Sequence, residues 1–158
     1  MSIKLKICGL KNSENISGVT NLHPDYIGFI FYKGSLRNAS GILNPEFCET
    51  IDRSIKKVGV FVDDLEDRII NYIALYHLDL VQLHGNESPE VCERIRKYAP
   101  VIKAFGVDEK FDFEKTTAYK NSCDYFLFDT KTEKHGGSGN TFDHELLKNY
   151  KGEKKFFL

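Results

Sequence analysis

A chain of 158 residues, 41 % apolar and 28 % charged, suffices for a single domain over residues 1–158 with a real core. A net charge of −1 with no basic stripe argues against nucleic acid as a partner, no apolar run is long enough to cross a membrane, and the N-terminus lacks the zones of a signal peptide. The four cysteines, Cys8, Cys48, Cys92 and Cys123, are widely spaced with no CxxC and no histidine pair at metal spacing, which reads as reduced thiols in a cytoplasmic protein with no metal site.

Lys4 to Leu10 alternates polar and apolar residues, the period of a strand, and breaks at Cys8-Gly9 where the backbone can turn. A helix is predicted from Asn12 to Leu22, capped by Asn12 or Ser13. Asp25 to Phe31 is almost wholly apolar, a strand covered on both faces, and a polar loop follows from Tyr32 to Ser40. Pro45 opens a helix to about Ile55, Lys57 to Val62 is the third strand, and Asp63-Asp64 caps a helix from Leu65 to Tyr76. Leu80 to His84 is the fourth strand. Ser88 then caps a helix that begins at Pro89 and runs through Tyr98. Val101 to Phe105 is a strand, Asp112 to Lys120 a helix, and Asp124 to Asp129 a strand. A loop from Thr130 to Thr141 carries Gly136-Gly137-Ser138-Gly139, Asp143 caps a short helix to Tyr150, and Lys154 to Leu158 opens a seventh strand.

Helices separate the strands, so successive strands should run parallel with right-handed crossovers. Two α/β architectures fit: an open doubly wound sheet, or an eight-fold (β/α) TIM barrel incomplete after the start of strand seven. No GxGxxG follows the first strand, which disfavours a dinucleotide-binding sheet. The apolar ending Phe156-Phe157-Leu158 would leave an exposed strand edge, so the barrel reading expects further chain beyond it.

Parallel strands bring their carboxyl ends to one face. The polar residues there are Cys8, Arg37, Gln82, His84 and Asp129. Asp129 closes an apolar strand, where a carboxyl can be raised in pKa and serve as an acid at neutral pH. Arg37 can clamp a carboxylate with two parallel hydrogen bonds. His84 suits a base or an orienting group, and Gly136, Gly137, Ser138 and Gly139 offer backbone amides to a phosphate or a lid. Each has a plainer use. A lone Cys is usually a small buried hydrophobe, a loop Arg a solvated charge, and a strand-end Asp a cap.

Taken together, these stretches resemble the phosphoribosylanthranilate isomerase family. The likeness rests on Lys6-Ile-Cys8-Gly-Leu10, Gly28-Phe-Ile-Phe-Tyr32 with Ser35-Leu-Arg37, and Val58-Gly-Val-Phe-Val62. It continues through Val81-Gln-Leu-His-Gly85, Ile102-Lys-Ala-Phe-Gly-Val107, Phe128-Asp129-Thr-Lys, Gly136-Gly-Ser-Gly139 and Thr141-Phe-Asp143, all in family order. Where the family often has Phe-Asp-Trp, this chain has Phe142-Asp143-His144. The resemblance implies a (β/α)8 barrel catalysing an Amadori rearrangement in tryptophan biosynthesis without a cofactor. Asp129 is then the acid, Cys8 as thiolate the base, and Arg37 the clamp for the anthranilate carboxylate. Gln82, His84 and the glycine loop contribute to binding. Family members continue for two more βα units whose loops bind the substrate phosphate, so those residues lie outside this sequence. The implied ligand is a small phosphosugar, and the family includes monomers and homodimers.

Two other readings compete. One is another phosphosugar barrel, such as indole-glycerol-phosphate synthase, whose ring closure calls for a catalytic Lys and Glu; Lys103 lies in strand five, with no strong Glu partner visible in the sequence. The other is a non-catalytic barrel fragment.

Overall fold

The computed structural model describes residues 3–131 and 142–158. Seven parallel strands alternate with helical segments: β1 (Lys6–Cys8), α1 (Ser13–Thr20), β2 (Tyr26–Ile30), α2 (Pro45–Thr50), β3 (Lys56–Phe61), α3 (Glu66–Leu75), β4 (Leu80–Leu83), α4 (Pro89–Arg96), β5 (Val101–Val107), β6 (Tyr125–Thr130) and β7 (Phe156–Phe157). Every strand pairs with its predecessor in sequence, giving the order β1-β2-β3-β4-β5-β6-β7. The sheet curls: the Phe157 ring of β7 meets Tyr26 of β2 edge-on, 5.2 Å between centroids, and Tyr125 of β6 at 5.8 Å.

Alternation along each strand sorts side chains to two faces. On the outer face, Phe29, Phe61, Leu83, Val101 and Phe128 are buried against the helices in the main core. Each such large side chain removed from water contributes about 1.5–3 kcal/mol. Beyond the end of β2, Phe31 stacks at 4.8 Å on both Tyr72 and Tyr76, which ties the strand to α3. On the concave face a separate, smaller cluster of Tyr26, Val58, Leu80 and Ile102 fills the floor, with Tyr125, Leu127 and Phe157 against it.

Three aspartates fix the register at the amino-terminal end. Each stands just before an even-numbered strand and accepts the backbone N–H of the preceding strand's start. Asp25 accepts from Leu5 at 2.9 Å, Asp79 from Lys57 at 2.9 Å, and Asp124 from Val101 at 2.8 Å. Each also holds a cation: Lys4, Lys56 and Arg96 respectively.

Several boundaries differ from the sequence reading. The helix begun by Pro45 stops at Thr50, because Ile51 turns extended. That lets Ile51 and Ile55 both enter the core. The segments expected as helices after Asp112 and Asp143 are 3-10 turns, Phe113–Tyr119 and His144–Asn149; Asp143 caps its turn as predicted, and Asp112, expected as the first helical residue, is a cap as well. Asn12 precedes α1 without a side-chain capping bond, and α3 is preceded by Leu65 rather than by a capping aspartate. Asp64 instead accepts the Leu65 N–H and pairs with Arg68 of α3. The glycine loop, with Gly136, Gly137, Ser138 and Gly139, lies outside the described residues.

Candidate active site

Five residues named from the sequence, Cys8, Arg37, Gln82, His84 and Asp129, line one cavity of about 440 Å³ at the carboxyl edge of the sheet. That is an ordinary size for a small-molecule site. Lys6, which sequence reasoning passed over, lines it too. It sits two residues before Cys8, hence on the same strand face, and that spacing was the available signal. Ile30, Val60, Val62 and Leu127 supply apolar wall. A second hollow of about 540 Å³ lies between the Phe113–Tyr119 turn and residues 149–154 and contains none of these groups.

Cys8 is the only one of the four free thiols that is not buried. Burial pushes the others up, Cys48 and Cys123 to about 11 and Cys92 to about 12. Cys8 pairs in register with Gly28. The chain then turns at Gly9, whose φ of +91° favours a residue with no side chain. Gly9 and Leu10 both donate their N–H to the Gly28 carbonyl, at 2.9 and 3.1 Å. A Cβ at Gly9 would lie 2.7 Å from Arg37 Cδ, so this glycine also admits the arginine against the backbone beside Cys8. Arg37 is exposed, and no ion pair holds its guanidinium among the described residues.

Asp129 sits near the end of β6. Its Oδ1 accepts from the Thr130 N–H at 2.8 Å, and its Oδ2 lies 3.5 Å from His84 Nε2. The neighbouring His84 ring is the largest influence and holds the Asp129 carboxyl below the ordinary carboxylate range, against the opposing effect of burial. This corrects the expectation of a raised value. The apolar strand was legible in the sequence, whereas the donor arrives from β4.

Gln82, expected to bind substrate, is 2 % exposed and spends both ends of its amide on neighbours: Lys6 Nζ donates to its Oε1 at 2.7 Å, and its Nε2 lies 2.8 Å from His84 Nδ1.

The Lys103 reading changes as well. Lys103 does have a carboxylate partner, Glu87, at 3.0 Å, but both side chains are 3 % exposed and neither lines the cavity. Lys103 Nζ donates to the carbonyls of Leu83 and Gly85, the residues on either side of His84. Glu87 accepts from the Gly85 and Asp63 N–H groups. The pair braces the turn that presents His84 and cannot reach a ligand, which removes the support for a Lys/Glu ring-closure site.

Among the described residues no helix is long and apolar enough to cross a membrane, and no group of three His, Cys, Asp or Glu side chains could hold a metal ion.

Comparison with known proteins agrees with this fold. The family model described as N-(5'phosphoribosyl)anthranilate (PRA) isomerase matches residues 5–158. An N-(5'-phosphoribosyl)anthranilate isomerase from Parabacteroides distasonis is 44 % identical over 156 residues, covering 98 % of this chain and 71 % of that protein. The crystal structure of phosphoribosyl anthranilate isomerase from Thermotoga maritima superposes with a TM-score of 0.83 at 34 % identity, over 99 % of this chain and 77 % of that one. A further isomerase structure, in complex with reduced 1-(o-carboxyphenylamino)-1-deoxyribulose 5-phosphate, gives a TM-score of 0.80 at 29 % identity over 99 % of this chain and 74 % of that one. A curled parallel sheet with a thiol, a guanidinium and a carboxyl converging at its carboxyl edge, matched along nearly its whole length, belongs to the phosphoribosylanthranilate isomerase family of (β/α)8 barrels.

Proposed function

We propose that this chain isomerises N-(5'-phosphoribosyl)anthranilate by an Amadori rearrangement in tryptophan biosynthesis, an internal aldose-to-ketose exchange. The observation that carries the reading is the convergence of Cys8, Asp129 and Arg37 on one cavity in a chain of this family. Asp129 gives a proton to the ribose ring oxygen. The C1–O bond breaks and the anthranilate nitrogen lone pair forms the C1=N iminium. Cys8, as thiolate, removes the proton from C2, and that bond's electrons move toward nitrogen to give an enolamine. Tautomerisation places a proton on C1 and a carbonyl at C2. C1 is reduced and C2 oxidised within one molecule, so no external electron carrier enters the balance.

An ionised Asp129 must take up a proton before it acts as an acid. The substrate favours this, because its carboxylate and phosphate bring negative charge toward the Asp129 carboxyl. Arg37, exposed at the cavity mouth, holds the anthranilate carboxylate. The protein acts as a monomer or homodimer, and in the cytoplasm, where its four unpaired cysteines would stay reduced.

The test is turnover of phosphoribosylanthranilate, followed by loss of its fluorescence. Cys8→Ala and Asp129→Asn should each lower kcat by about 10²–10⁴-fold. Near-normal turnover in either variant would remove that residue from the mechanism.

A further inference from the structure

The concave face carries a polar chain that the acid–base pair does not explain. It starts at Lys6 on β1, crosses to Gln82 on β4, continues to His84 just beyond that strand, and ends at Asp129 on β6. Its proton arrangement follows from Lys6. An ammonium only donates, so the Gln82 amide must turn its oxygen toward Lys6 Nζ. The amide NH₂ then faces His84 and donates to Nδ1, 2.8 Å away. With Nδ1 accepting, the ring proton sits on Nε2, the nitrogen 3.5 Å from Asp129 Oδ2. The opposite tautomer would set N–H against NH₂ on one side and a lone pair against a carboxylate on the other.

We propose that Lys6 and Gln82 are positioning residues that lock His84 in its Nε2–H tautomer, so that His84 aims the Asp129 carboxyl. The lock itself is a statement about ring protons; its bearing on catalysis rests on the isomerase reading above. Gln82 is therefore an inner support of the site rather than a substrate contact, and its burial fits that role. Lys6 supplies direction as well as charge: it makes one amide orientation the only satisfied one. The charged and titratable side chains that line the cavity with Asp129 are His84, Lys6, Cys8, Tyr32 and Arg37. Of these, His84 and Lys6 favour its ionised form. Orienting partners of metal-bound histidines are typically worth about 10- to 100-fold in activity, and the same order is expected for the partners of His84.

The experiment is ¹⁵N NMR of the His84 ring in the full chain, with turnover and melting measured on the same samples. The unmodified protein should show a protonated Nε2 and a bare Nδ1. Gln82→Glu is the decisive variant. Its carboxylate still pairs with Lys6 but cannot donate, so Nδ1 should gain the proton, with kcat down about 10- to 100-fold and KM and melting nearly unchanged. Lys6→Met should give a mixture of tautomers, and Lys6→Arg should restore the single one. A bare Nε2 in the unmodified protein, or ring signals that do not respond to Gln82→Glu and Lys6→Met, would overturn the lock. Ring signals as expected in a protein that never turns over phosphoribosylanthranilate would uphold the lock and defeat the isomerase reading.

Discussion

Gly28 stands where any side chain would strike the Cys8 sulfur: a Cβ built on it lies 2.5 Å from Sγ and 3.2 Å from Cys8 Cβ. The two residues are register partners on β1 and β2, so neither can slide away without parting the strands. Gly28→Ala should therefore turn the thiol or spread the pair. Overpacking of this kind costs about 1–3 kcal/mol of stability. A displaced catalytic atom costs on the order of 10²-fold in rate. Denaturant unfolding and turnover on the same variant separate the two effects. Full activity would mean that the sulfur's position is not critical.

Ligand binding should take up protons. His84 keeps the Asp129 carboxyl ionised in the resting site, and an acid role requires the protonated form. Calorimetry of reduced 1-(o-carboxyphenylamino)-1-deoxyribulose 5-phosphate in two buffers of different ionisation enthalpy should give uptake of up to about one proton near neutral pH. Asp129→Asn should abolish most of it. For stability the sign is the reverse of a raised group. A lowered carboxyl adds stability that is full above its unfolded value of about 3.9, and that contribution is lost as pH falls through the lower folded value. Replacing His84 by Phe should bring the Asp129 carbon signal back toward ordinary titration.

Arg37 should govern affinity more than rate. A charged hydrogen-bonded contact is worth about 1.5–3 kcal/mol, so Arg37→Ala should raise KM on the order of ten- to a hundredfold. Arg37→Lys keeps the charge but loses the planar fork and should recover only part. A fall in kcat at constant KM would instead place Arg37 in the chemical step.

Lys103 should matter for folding and, through the turn, for chemistry. It is 2 % exposed and bonded to the Leu83, Gly85 and Ala104 carbonyls as well as to Glu87. Lys103→Met would leave a buried carboxylate without its cation and should cost about 3–5 kcal/mol. Adding Glu87→Gln should recover part of that loss. Equilibrium unfolding of the single and double variants gives the coupling.

Legibility in the sequence followed the range of the forces involved. The strands were legible because alternation and apolar runs are local, and their carboxyl ends followed from parallel order. Cys8, Arg37, His84 and Asp129 could thus be gathered before any coordinates. What escaped was set by side chains meeting across the barrel. Lys6 is only one polar residue of the alternating Lys4 to Leu10 stretch, yet it points inward to Gln82. Asp129 looked like an acid in an apolar strand, yet the deciding group is His84 from two strands away. Glu87 follows the strand it serves by a few residues, and nothing in its neighbourhood announces Lys103. The 3-10 turns after Asp112 and Asp143 escaped because a good N-cap starts either kind of helix.

The aspartates at the amino-terminal rim divide the sheet unevenly. Asp25, Asp79 and Asp124 rivet β1 to β2, β3 to β4 and β5 to β6 at this rim, while Lys103 of β5 crosses to the Leu83 carbonyl of β4 farther up the sheet. Amide exchange should therefore be slowest inside the couples and faster along the β2–β3 seam. The rivets are also a full strand's length from Cys8, His84 and Asp129. Fastening and chemistry occupy opposite rims of one sheet, so the loops of the reactive rim are free to diversify while the other rim keeps the strands in step.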